Sequence, residues 1–151
     1  MDGLDIGKWI PSLESLLDKL DLLLRILVMA GPLALLGLGL YYFLLPPKEA
    51  NYSAGYRFRY AMSRVGVWRF TQRLAGMVYA GTGLLLTIIM AIVCAQFDSM
   101  GANGMVWCAV KCIGWELGVI LAATIGVDVT VIALYDSEGN RRSEFRGFKE
   151  E

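Results

Sequence analysis

The chain has 151 residues, the length of one domain, yet 56% of it is hydrophobic and its mean hydropathy of +0.53 is higher than soluble domains usually show. Its 14 basic and 14 acidic residues cancel, so no net field draws in nucleic acid or an acidic partner. Histidine is absent, which removes the commonest general base and metal ligand. Composition therefore points to a membrane protein and away from an enzyme, a metal or cofactor protein, or a nucleic-acid-binding domain.

The first 21 residues lack the basic segment, short apolar core and small-residue cleavage site expected of a signal peptide. They predict an amphipathic helix. Ser12 can cap it after Pro11, and Leu13, Leu16, Leu17, Leu20 and Leu24 share one face while Glu14, Asp18 and Asp21 share another. We read residues 1–25 as an interfacial segment lying on the membrane, with a partner helix seated in a groove of another subunit as the competing reading.

Three apolar stretches then follow, each long enough for a bilayer core of about 30 Å, which takes about 20 helical residues. The first, residues 26–45, ends against Pro46 and Pro47. The second, 74–97, contains no charge. The third, 113–134, carries Glu116 and Asp128 in an apolar frame. The predicted fold is all-α: a polytopic membrane protein with three transmembrane helices and an N-terminal amphipathic helix.

Orientation follows from lysine and arginine in the connections. The loop 46–73 holds Lys48, Arg57, Arg59, Arg64, Arg69 and Arg73, whereas 98–112 holds only Lys111. The tail, 135–151, adds Arg141, Arg142, Arg146 and Lys149 on the side of the basic loop. This predicts an N-outside, C-inside topology, with a cytoplasmic loop and tail.

Small residues recur at spacings of three and four in the second span (Gly76, Ala80, Gly83, Thr87, Ala91, Cys94) and of four in the third (Gly114, Gly118, Ala122, Gly126, Thr130). Such stripes let helix backbones approach closely in lipid, and they predict close packing within the bundle, with homo-oligomerisation as the sharper alternative. Cys94, Cys108 and Cys112 read as small apolar packers rather than a metal site. The sequon at Asn51 falls in the loop predicted to be cytoplasmic, which argues against glycosylation.

A carboxyl in hydrocarbon costs at least about 2.5–3.5 kcal/mol on insertion scales, so Glu116 and Asp128 call for partners or a role. Glu116 is expected near the outer end, where it can reach headgroups. Asp128 lies about 10 Å from the cytoplasmic end of its span, where it can pair with a loop arginine, be protonated, or line a polar path.

One stretch remains, "NYSAGYRFRYAMSRVGVWRFTQRLAG", residues 51–76, with five arginines, six aromatic residues and no acid. Topology and an interfacial aromatic belt account for its composition but not for its order. That order resembles the SdpI-type membrane immunity proteins of Gram-positive bacteria. Their signature runs as an asparagine, Gly-Tyr-Arg-Thr-x-Arg, a methionine, a tryptophan, an Asn-Arg/Lys pair and a glycine heading the next helix. Here it reads Asn51, Gly55, Tyr56, Arg57, Arg59, Met62, Trp68, Gln72, Arg73 and Gly76, with Phe58 where the family has threonine and Gln72 where it has asparagine.

The resemblance implies a multipass, non-enzymatic protein that protects a cell from a secreted toxin or relays its presence to a regulator. Its site would be Asn51, Gly55, Tyr56, Arg57, Arg59, Trp68, Gln72 and Arg73, clustered at the membrane surface, with Asp128 as internal counter-ion and Gly55 supplying the turn that brings Asn51 back. Arginines so placed can clamp a carboxylate or a lipid phosphate. The implied partners are membrane lipids and a protein: a toxin, a regulator or the subunits of a larger complex. Two other functions remain open from the residues alone, an assembly subunit of a membrane complex and a small oligomeric transporter or channel.

Overall fold

The computed structural model of the protein describes residues 13–47 and 55–142, all helix and connecting turns. Three antiparallel helices make up the fold: α1 (Leu13–Leu44), α2 (Val65–Cys94) and α3 (Ala102–Leu134). A short 3-10 turn, Phe97–Ser99, joins α2 to α3. Each helix is long and apolar enough to cross a membrane.

All three begin earlier than hydropathy alone predicts. The segment expected to form a separate interfacial helix is continuous with the first span, so that α1 runs unbroken for 32 residues, about 48 Å at 1.5 Å per residue. That exceeds a hydrocarbon core of about 30 Å, and one end of α1 must project beyond it. Of the leucine stripe, Leu24 is buried while Leu16 and Leu17 are exposed. Ser12, the expected cap, lies outside the described residues.

The basic loop is correspondingly shorter than 46–73, because residues 65–73 form the first turns of α2. Arg69 and Arg73, one turn apart, stay exposed while Val67, Trp68, Thr71, Gln72 and Ala75 turn inward, so this segment is amphipathic rather than apolar. Helix α3 starts at Ala102 instead of 113 because Asn103 and Lys111, both exposed, dilute a run that is otherwise apolar.

The core is a seam between α1 and α2. Leu24, Val28, Pro32, Leu35 and Gly39 of α1 face Tyr79, Gly83, Leu86, Met90 and Cys94 of α2, the three-and-four spacing of long helices packed side by side. Backbones touch at three levels. A Cβ on Gly76 would stand 2.6 Å from the Phe43 nitrogen, one on Gly83 2.5 Å from the Leu36 nitrogen, and one on Gly39 would run into the backbone of Ala80. Gly76, Ala80 and Gly83 of α2 thus serve packing inside the chain. Those of α3 do not: Gly114, Gly118 and Gly126 have open space where a side chain would go.

Pro32 sits inside α1 and is fully buried. It has no N–H, which takes from the carbonyl of Val28, one turn back, its usual helical donor.

Candidate functional site

Antiparallel packing gathers the end of α1, the basic loop, the start of α2 and the end of α3 at one end of the bundle. There the motif residues form a knot. Gln72, fully buried, uses both faces of its side-chain amide on the backbone of one residue: Oε1 accepts from the Tyr56 N–H at 2.8 Å, and Nε2 donates to the Tyr56 carbonyl at 2.8 Å. An amide pairing with a peptide unit in this way replaces a strand partner, and it satisfies two backbone groups that burial would otherwise strand.

Trp68, one turn before Gln72 and also fully buried, donates its indole N–H to the carbonyl of Pro47 at 2.9 Å, which ties the chain leaving α1 to α2. Gly55 fits against both. Its φ of 110° lies where L side chains rarely go, and a Cβ there would stand 2.8 Å from the Trp68 ring and 3.1 Å from Gln72 Oε1. Gly55 thus holds a backbone conformation suited to glycine. Asn51, expected to brace it, lies outside the described residues.

Tyr56 carries the knot to the third helix. Its hydroxyl donates to Asp128 Oδ1 at 2.5 Å and lies 3.3 Å from the Thr124 carbonyl. Its ring meets Tyr79 edge-on at 5.9 Å, and the Tyr79 hydroxyl shares a 3.0 Å hydrogen bond with Thr124 Oγ1. Burial, and then the bond to Asp128, push the Tyr56 phenol well above its ordinary pKa, so it is held as a donor. Three readings were open for Asp128, a loop arginine, a proton or a polar path; the group that the structure sets against it is this phenol.

Tyr79 and Thr124 were missed by the sequence reading. Their signal was a hydroxyl-bearing residue inside each of two apolar spans, where polar groups need partners.

The motif arginines go the other way. Arg57, Arg59 and Arg73 are exposed, and the expected single cluster of arginine and aromatic residues does not form. Tyr56 and Trp68 point inward while the guanidinium groups surround them on the surface. Arg69 and Arg73 line an open cleft of about 520 Å³ whose other walls are Leu44, Leu45, Pro46 and Pro47. On their far side the same two arginines border a second cleft with Phe70, Leu74 and Met77. Arg73, exposed beside the apolar walls of the cleft, can hold an anionic group whose body is apolar.

Phe58 and Gln72, the two departures from the family pattern, lie on opposite sides of this division. Phe58 stacks on Tyr60 with ring centroids 5.6 Å apart, near the surface arginines, whereas Gln72 acts wholly inside the knot.

The described part of the tail, residues 135–142, folds back onto this end. Tyr135 packs on Phe70 at 5.5 Å, and Asp136 Oδ1 accepts from the N–H groups of Asn140 at 2.7 Å and Glu138 at 3.0 Å. Those backbone donors, that of Asn140 first, hold the Asp136 carboxyl below its ordinary pKa.

The opposite end of the bundle is closed by charge. Arg25 of α1 takes Asp21 through Nε at 2.9 Å, Asp98 through Nη2 at 2.6 Å, and the terminal carbonyl of α2, Cys94 O, through Nη1 at 2.9 Å, with its guanidinium 5.7 Å from the centre of the Phe97 ring. A cation at a helix C-terminus complements the exposed carbonyls and the helix dipole.

Glu116 does not reach headgroups. Because α3 begins at Ala102, Glu116 lies about 21 Å from that end and about 27 Å from Leu134, close to mid-helix. It is 3% exposed and turned toward α1, with Oε2 2.7 Å from where a side chain on Gly31 would begin.

Among the described residues no group of three or more cysteines, aspartates or glutamates is placed to hold a metal ion. Compared with known proteins, the chain matches the SdpI/YfhL protein family over residues 48–135. The match takes in the knot, α2, and α3 with Glu116 and Asp128, and begins beyond α1. Neither a curated protein nor a solved structure matches the chain.

Proposed function

The chain belongs to the SdpI/YfhL protein family, and from that premise we propose that it is an immunity-type membrane binding module, not an enzyme, whose working surface is the motif end. The positive-inside bias puts that end at the cytoplasmic face of a bacterial membrane. The observation that carries the proposal is the division of the motif. Gly55, Tyr56, Trp68 and Gln72 are used up in hydrogen bonds and packing, while Arg57, Arg59 and Arg73 stand exposed on the scaffold they form.

A scaffold that pins a loop to α2 and α3 orders the guanidinium groups before any partner arrives. Less freedom is then lost on binding, which is how preorganised sites gain affinity. The apolar cleft beside Arg73 suits a partner that brings an anionic group on an apolar body, such as a membrane-active peptide toxin or a regulator's membrane-docking segment.

The test separates scaffold from surface. A strain lacking the protein is challenged with the secreted peptides encoded beside its gene, and is complemented with wild type or with Arg57→Gln, Arg59→Gln and Arg73→Gln combined. The triple variant is expected to reach wild-type levels in the membrane and to give no protection. Full protection by that variant, or unaltered sensitivity of the deletion strain to every peptide, would overturn the reading.

A further inference from the structure

Glu116 is a buried carboxyl that the motif end does not use. Its Oε1 is shut off from solvent and has no hydrogen-bond partner. Its other oxygen occupies the space left by the missing side chain of Gly31, next to fully buried Pro32. The titratable groups near enough to feel it are Cys94 from α2 and Cys112 one turn away on α3, both free thiols, while α1 faces it with glycine, proline and aliphatic side chains. Lys111, about 8 Å back along α3, is exposed on another face of that helix, and Arg25 with Asp21 and Asp98 are engaged with one another about 9 Å further along α1, at the end of the bundle.

An ionised carboxylate cannot be kept in such a place. Its Oε1 has no cation, N–H or water to face. A metal ion would need several oxygen ligands, and thiols with apolar side chains do not supply them. A proton needs only the carboxyl itself.

We propose that Glu116 is an exchangeable proton-binding site at mid-membrane depth, protonated when α3 is seated against α1 at Gly31 and released when that contact opens. The neutral acid has one O–H to give, and the Val28 carbonyl, left without its helical donor by Pro32, is an acceptor on the same face of α1. Helix α3 is the least covered of the three, so a charge on Glu116 would meet little else holding α3 in place. Proton occupancy and helix seating are thereby linked, and each must shift the other.

Infrared spectroscopy on the full chain in phosphatidylglycerol–phosphatidylcholine vesicles, with carboxyl-13C glutamate incorporated, tests this directly. Glu116 is the only glutamate inside the three candidate spans, so a protonated glutamate band at neutral pH can come from no other residue. The expected result is a labelled carboxylic-acid band at neutral pH that shifts in D2O, converts to carboxylate as pH is raised to about 10, and is missing from Glu116→Gln. A spectrum showing only labelled carboxylate at neutral pH would overturn the proposal. So would an acid band that neither exchanges nor titrates, since that marks a permanently neutral structural group. The labelled wild type decides the matter even if the variant fails to fold.

Discussion

The two ends of the bundle are closed by opposite means. At the motif end the ties are an amide on a peptide unit, an indole on a carbonyl and a phenol on a carboxylate, and the residues that donate them are buried. At the other end one guanidinium gathers two carboxylates and a helix terminus, with Asp98 80% exposed. Directional hydrogen bonds away from water hold one geometry and ignore salt, whereas ion pairs near water are screened and adjustable. A surface that must present arginines in fixed positions benefits from the first kind of closure. The second kind suffices where helices need only be kept together.

Substitutions can break that contrast, and the largest effect is expected at Gly55. Alanine there must adopt a φ of 110° and push into the Trp68 ring, a combination expected to cost about 2–3 kcal/mol or more. Unfolding of Gly55→Ala in mixed detergent micelles measures it, and a midpoint within error of wild type would contradict the tight seat described above.

Gln72→Glu comes next, at about 1–3 kcal/mol. The carboxylate can still accept from the Tyr56 N–H but cannot donate to the Tyr56 carbonyl, so two oxygens are left facing each other. Gln72→Glu should fall below Gln72→Ala in thermal stability; the reverse order would mean that the reciprocal pairing is not what holds Tyr56.

Tyr56 and Asp128 should behave as one unit. A double-mutant cycle with Tyr56→Phe and Asp128→Asn is expected to show coupling of about 0.6–1.7 kcal/mol, the range found for hydrogen bonds between membrane helices. Additive losses would break the link from loop to α3.

Arg25→Gln is expected to weaken the opposite end by less, and by an amount that shrinks as salt is added. Gly55→Ala and Tyr56→Phe, which change no charge at the motif end, should show no such salt dependence, which sharpens the comparison through a single variable.

The smallest effect is a matter of pH. The Asp136 carboxyl is depressed in the folded state, so its contribution is complete above the ordinary carboxylate pKa and is lost as pH falls through the folded value. Protection of the Glu138 and Asn140 amides, relative to their intrinsic exchange rates, should fall only below about pH 4, and Asp136→Ala should lack it at every pH.

Much of this was legible in the residues. Three uninterrupted apolar runs require three helices, since only a helix satisfies its own backbone in lipid. The order Gly55, Tyr56, Arg57, Arg59, Trp68, Gln72 marks the knot and the family together. Helix starts were not legible, because hydropathy registers average polarity and not faces. Arg69 and Arg73 made residues 65–73 read as loop, and Lys111 did the same for the first turns of α3. The error at α3 misplaced Glu116 by several turns.

The sequence by itself determined the class of protein, the number of helices and the motif, because length, apolarity and the order of a few side chains are properties of the chain alone. Only the tertiary structure decided which motif residues are scaffold and which are surface, that Asp128 is met by a phenol, and that Glu116 is enclosed against Gly31. Those outcomes depend on how α1, α2 and α3 are rotated against one another. That rotation is set where glycines let the backbones of α1 and α2 touch, a contact between residues about 33–47 positions apart that no local pattern encodes.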